Sequence, residues 1–259
     1  RGLGDVYKRQ DQDMRNMGGL RKYMPITWLT SLVGSLALIG APGFSGFFSK
    51  DSIIEAVHHS TIPGAGFAYF AVLSGVFITA LYSFRMYFLV FHGKERMDAH
   101  TREHLHETPW VVTVPLILLA IPSVLIGGFY VGDMVFGDFF ASAITVAPVH
   151  DVLGSIDFHN AWGMIAHGFL TAPFWLAAGG VFVAWFLYMK RTELPSKIIG
   201  LPVVKQIHAI LENKYGFDEF NQRIFGGGSR GIGTGLWKVG DVALIDGLLV
   251  NGTARVVGW

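Results

Sequence analysis

Lys50 and Asp51 adjoin in the stretch IGAPGFSGFFSKD, with apolar sequence on both sides. An ionisable side chain at membrane depth costs at least about 2.5–3.5 kcal/mol on insertion scales, so a pair kept there points to proton or ion handling. The residues before them, Gly40, Pro42, Gly43 and Gly46, break a helix. A broken helix leaves unpaired backbone groups that are tolerated only against protein or a water-filled cavity, where transporters place ion sites. With a second half-helix starting near Ser49, that serine would cap it and Asp51 would favour its positive end. Lys50 at the same end is disfavoured as a cation and is the main candidate for a proton relay. The alternatives are a structural Lys50–Asp51 pair or a lysine that snorkels to the interface.

Other ionisable groups are weaker candidates. Arg85, in TALYSFRMYFLVFHG, does not release its proton, so it is either a fixed counter-charge or a snorkelled anchor. His58 lies about 80° round an ideal helix from Lys50 and could continue a proton path, whereas His59 lies nearly opposite Lys50. Glu55 is near both, and an interfacial role suits all three equally. His167 in MIAHGFLTAPFW is a candidate relay or a hydrogen-bonded packing histidine. The loop HTREHLHE places His100 and His104 at i, i+4 with His106 close by, but without a third fixed ligand it reads as a solvated face, so no metal site is expected there.

The elements that must hold these groups are membrane spans. The 259-residue chain is 51% hydrophobic and only 15% charged, well below the charge content of soluble domains. Apolar runs of spanning length occupy Gly66–Phe91, Pro109–Val131 and Ala161–Met189. Residues 25–60 are too long for one straight crossing and too short for two, which implies one discontinuous crossing with a first half at Pro25–Ile39. Lys and Arg cluster in the connections 11–24 and 92–108 and after residue 189, while 61–65 and 132–160 have none. Under the positive-inside rule, four crossings put every basic segment on the cytoplasmic side. The expected fold is therefore all-α and integral to the membrane, with four transmembrane crossings, the first broken.

Residues 194–259 differ in character. In LPVVKQIHAILENKYGFDEF and LWKVGDVALIDGLLVNGTARVVGW, apolar residues recur at helical spacing among charges. They read as an amphipathic lateral segment on the bilayer surface, with GGGSRGIGTG as a flexible break between its halves. The absence of cysteine excludes thiolate metal sites and cysteine-ligated clusters, and the near-neutral charge argues against a nucleic-acid partner.

MGGLRKYMPITW, GFFSKD and LYSFRMYFLVFHGKE, with the tail ENKYGFDEF, resemble the L-subunit family, the distal antiporter-like membrane subunits of respiratory NADH:quinone oxidoreductase (complex I). The resemblance runs over Asp11–Trp259. The GFFSKD block alone is shared with multisubunit cation/proton antiporters and membrane hydrogenases, which are the alternative. The resemblance implies a bacterial inner-membrane protein that moves protons when quinone is reduced elsewhere. Lys50 would be the central lysine of a broken helix, accompanied by Asp51 and Arg85. It also implies no cofactor in this chain, with flavin, iron–sulfur clusters and quinone held by partner subunits, and neighbouring antiporter-like subunits as partners. An additional broken helix upstream and a final span downstream are expected of the whole subunit. Arg1–Gln10 has no counterpart in the family and matches, residue for residue, the translated end of a transposase sequencing adaptor, so it is expected to be non-native.

Overall fold

A computed structural model describes residues 13–147, 151–155 and 158–259. The proposed adaptor segment Arg1–Gln10 and the loop residue Asp157 lie outside the described residues. The described chain is helical and contains no strand. It divides into two units, one up to Glu193 and one from Leu194 to Trp259.

The first unit opens with α1, Pro25–Ile39, whose proline stands at the start, where no N–H is needed. Gly40 ends it in a left-handed conformation (φ 76°). The Ala41 amide then reaches back to the Leu36 carbonyl, a Schellman-type closure. After the irregular run to Phe44, α2 spans Ser45–His59. It starts four residues earlier than expected, so Ser49 is not its cap and Asp51 is not in its first turn; Phe44 precedes it without any side-chain cap. Gly46 is what allows this start, because a Cβ there would stand 1.8 Å from the Ala37 carbonyl oxygen.

α3, Ala65–Phe91, is one unbroken helix of 27 residues. A short helix α4, Ala99–Glu103, follows, and Asp98 caps it by accepting from the Thr101 amide. α5 covers Trp110–Val131 with Pro115 and Pro122 inside it. Ser45 is stitched to this helix: its hydroxyl donates to the Pro122 carbonyl at 2.8 Å and accepts from the Gly127 amide at 3.0 Å.

The apolar run 161–189 is not the single helix expected. It forms α6, Ala161–Gly168, and α7, Ala172–Trp185, the latter continued by a wide turn over Phe186–Lys190. Pro173 accounts for the break: it has no amide hydrogen to carry the ladder on from α6, and it stands instead in the first turn of α7, where none is needed, with Thr171 extended as the residue before that helix. Among the described residues, three helices remain long and apolar enough to cross a membrane: Ala65–Phe91, Trp110–Phe136 and Ala172–Lys190.

The core lies between α3 and α7. Ala80, Phe84, Tyr87 and Phe91 are buried with Ala177, Ala184 and Ile39. Small residues let the backbones approach, since a Cβ on Gly180 would sit 2.6 Å from the Phe77 carbonyl oxygen. At one end of the unit the start of α1, the end of α3 and the loop before α5 meet. Trp28 Nε1 donates to His92 Nε2 at 3.2 Å, Lys22 and Tyr23 reach Glu95, and the Ile26 amide donates to Glu107 at 2.6 Å. The far end of α3 thus returns to the start of α1.

In the second unit, α8 (Leu194–Ile199) and α9 (Pro202–Glu212) precede a kink at Lys214–Gly216, all three residues of which have positive φ. Beyond it the backbone is helical from Phe217 to Gly258, with stretches of wider π-type turns. The glycine run is therefore not a break: Gly227–Gly235 is helical.

Candidate functional site

The break between α1 and α2 creates the site. Leu38, near the end of α1, keeps a carbonyl that the helix-closing bonds of Gly40 and Ala41 do not use. Lys50, one and a half turns into α2, extends back across the break and donates its Nζ hydrogen to that carbonyl. The lysine is thus directed to the negative end of α1, the reverse of the placement expected at a positive helix end. The macrodipole and the unpaired carbonyl both favour a cation there. Gly40 keeps the space open, with the Lys50 Cδ 3.4 Å from where a Cβ would stand.

The second break faces the first. A Cβ on Gly168 would lie 2.5 Å from the Phe47 ring, so this glycine lets α6 end directly against α2. Gly40, Pro42, Lys50 and Asp51 from the first break, with Gly168, Thr171 and Pro173 from the second, line a small cavity of about 20 Å³. Sequence reading missed this second break, although its signal, a proline two residues beyond the bend, was available.

Asp51 also opens on the other side. It is 5% exposed and lines a larger cavity of about 500 Å³ with Glu55, His59, His159, Asn160 and His167. It lies within electrostatic reach of Glu55 and His167. Asp51 is therefore the residue shared by the Lys50 cavity and the larger, partly open one. Proton carriers spaced along such a route could pass a proton by short steps through water.

The remaining candidates fall in different places. His167 faces Asp51 across the large cavity. His58 is turned away and stacks on Tyr69, with ring centroids 4.7 Å apart, while His59 lines the cavity. The stripe is Asp51, Glu55, His59 at i, i+4, i+8; counting from Asp51 rather than Lys50 would have found it. Arg85 lies over the Tyr188 ring at 5.4 Å, its Nε buried without a hydrogen-bond partner. It lines neither cavity. The His100 and His104 rings stack at 4.7 Å, and a ring nitrogen of His104 bonds the His100 carbonyl, so the pair is turned into its own turn.

A family model described as NADH:quinone oxidoreductase/Mrp antiporter, TM matches residues 3–79. The NADH-quinone oxidoreductase subunit L of Neisseria meningitidis serogroup A is 51% identical over 276 aligned residues, covering 99% of this chain and 41% of that protein. Subunit L of Rhodobacter capsulatus is 33% identical, with 100% of this chain and 44% of that protein covered. The NAD(P)H-quinone oxidoreductase chain 5 of a Picosynechococcus species is 34% identical over 91% of this chain and 36% of its own length. The chain spans about two-fifths of the length of these curated relatives. Matched along nearly its whole length by proteins so named, the chain belongs to the family of NADH-quinone oxidoreductase subunit L.

Proposed function

We propose that this chain forms the proton-exchanging part of a membrane subunit of an NADH:quinone oxidoreductase, with Lys50 and Asp51 as the carriers. The observation that carries this reading is the shared position of Asp51, between the broken-helix lysine and a cavity lined by Glu55, His59 and His167. Lys50 holds a proton at the end of α1, and Asp51 passes it toward His167 and Glu55. Arg85 contributes a fixed charge near α7. The chain crosses a bacterial inner membrane four times, and residues 194–259 lie along neighbouring antiporter-like subunits. Flavin, iron–sulfur clusters and quinone are held by partner subunits, and reduction of quinone there drives the proton movement here.

The test uses two replacements at Lys50 in the full-length protein within its assembled enzyme. Lys50→Ala should lower quinone-linked proton pumping about a hundredfold, the lower range for losing a positioned proton carrier. Lys50→Arg keeps a cation for the Leu38 carbonyl but cannot give up its proton, so it should assemble normally and pump poorly. Normal pumping by Lys50→Arg would sink the relay reading and leave Lys50 as a structural cap. A cation/proton antiporter is the second reading, favoured by the wording of the family model, which spans both classes. Copurification with iron–sulfur subunits supports the oxidoreductase, and copurification with small membrane subunits alone supports the antiporter.

A further inference from the structure

The last turn of α2 gathers three metal-ligating side chains that the proton route does not require together. One ligand atom from each of Glu55, His58 and His59 lies within 4.8 Å of the other two. Among the described residues this is the one such group. We propose that Glu55, His58 and His59 bind a divalent transition-metal ion of the zinc class at the C-terminal end of α2.

The geometry is close to what such an ion needs. Tetrahedral donors at about 2.0–2.2 Å from a metal stand roughly 3.3–3.5 Å from one another. His59 Nδ1 is already 3.4 Å from Glu55 Oε2, and on binding it would give up its proton and its 3.1 Å hydrogen bond to the Glu55 carbonyl. The His58 ring is placed against the pair, its centroid 5.0 Å from that of His59 and its other face on Tyr69. Both histidines are exposed and Glu55 is half-buried, so about an ångström of side-chain rotation closes the set. Being i, i+3 and i+4 on one helix, the three need no long-range ordering to meet. The helix C-terminus adds a partial negative charge that favours a bound cation. Two imidazoles with one carboxylate suit Zn²⁺ and its first-row neighbours, whereas Mg²⁺ and Ca²⁺ prefer all-oxygen shells. With three protein ligands, a fourth position stays open to water. Glu55 and His59 also line the large cavity, so the ion would stand at its edge.

The experiment uses the full-length protein purified with its partner subunits, loaded with Zn²⁺ and washed in metal-free buffer. Bound zinc should fall by one ion per chain in His58→Ala/His59→Ala, or its affinity should drop at least about tenfold. His100→Ala/His104→Ala should retain it, and excess Mg²⁺ should not displace it. X-ray absorption at the zinc edge of the unsubstituted protein, which needs no variant to fold, should show a shell containing two imidazoles. Unchanged zinc content in the α2 variant, loss of zinc in the His100/His104 variant, or a shell without imidazole would each overturn the proposal.

Discussion

Glu107 caps a helix to which it does not belong. Pro25 has no amide hydrogen, so Ile26 and Thr27 carry the first donors of α1, and both amides point to Glu107 Oε2 at 2.6 and 3.4 Å. The Thr27 hydroxyl adds a bond of 2.8 Å to Oε1. Desolvation, the largest single influence, pushes this carboxyl up, but the Thr27 hydroxyl and the amides of Ile26, Thr108 and Thr27 together hold it below its usual range. A carboxyl lowered by folding adds stability that is complete above the unfolded carboxyl range and fades as pH falls through the folded value. Glu107→Ala should therefore cost about 0.5–2 kcal/mol near neutral pH, as losing a cap does. Glu107→Gln should cost less, and its deficit against the unsubstituted protein should shrink as pH falls through the lowered folded value and the carboxyl takes up its proton. Thermal unfolding in detergent at several pH values measures this; a glutamine deficit that persists unchanged in acid would show that the charge plays no part. This contact was not legible in the sequence, because it joins residues about 80 positions apart and Glu107 has no local pattern that marks it.

The breaks in the helices are set by glycine and proline, and their exact positions depend on what packs against them. Pro25–Ile39 was legible to the residue, since a proline opens it and Gly40 closes it. The start of α2 was not, because Gly46 looks like part of the break. It is helical because Ala37 leaves no room for a side chain, a tertiary fact invisible in local sequence. The break between α6 and α7 hides inside an uninterrupted apolar run for a different reason: hydropathy reports burial in lipid, not helix continuity, although Pro173 marks the break locally. A contrast between two glycines tests this. Gly46→Ala must drive α1 and α2 apart at the Lys50 contact, at a cost of about 1–3 kcal/mol, as for overpacking. Gly75→Ala, in the middle of α3 with nothing within 4 Å of its Cβ position, should be neutral or gain up to about 1 kcal/mol in helix propensity. Equal unfolding midpoints for the two variants would remove the close-approach argument.

For the molecule as a whole, the decisive question is whether α1 and α2 together make one passage. The contacts at one end bear on it directly. The Gly19 amide donates to the His92 carbonyl at 3.2 Å and Arg96 bonds the Arg15 and Met14 carbonyls, so the segment before α1 and the segment after α3 share a face. A returning hairpin would instead bring the start of α3 to that face. The same end carries Lys22, Lys94 and Arg102, the basic residues that the positive-inside rule assigns to the cytoplasm. With no native cysteine, the full-length counterpart is open to single-cysteine mapping if the rest of it is made cysteine-free. Asn16→Cys and Thr101→Cys should react with an impermeant maleimide only from the cytoplasmic side, in inverted vesicles. Ser60→Cys and Ser142→Cys should react only from the opposite side, in intact cells with a permeabilised outer membrane. Thr192→Cys, after the last span of this chain, should again behave like Asn16→Cys. Labelling of Ser60 and Asn16 from one side would make the broken segment a re-entrant hairpin. Lys50 and Asp51 would then dip into the bilayer from the cytoplasm, and the large cavity with Glu55 and His59 would face inward, leaving the route from Lys50 with entry but no exit.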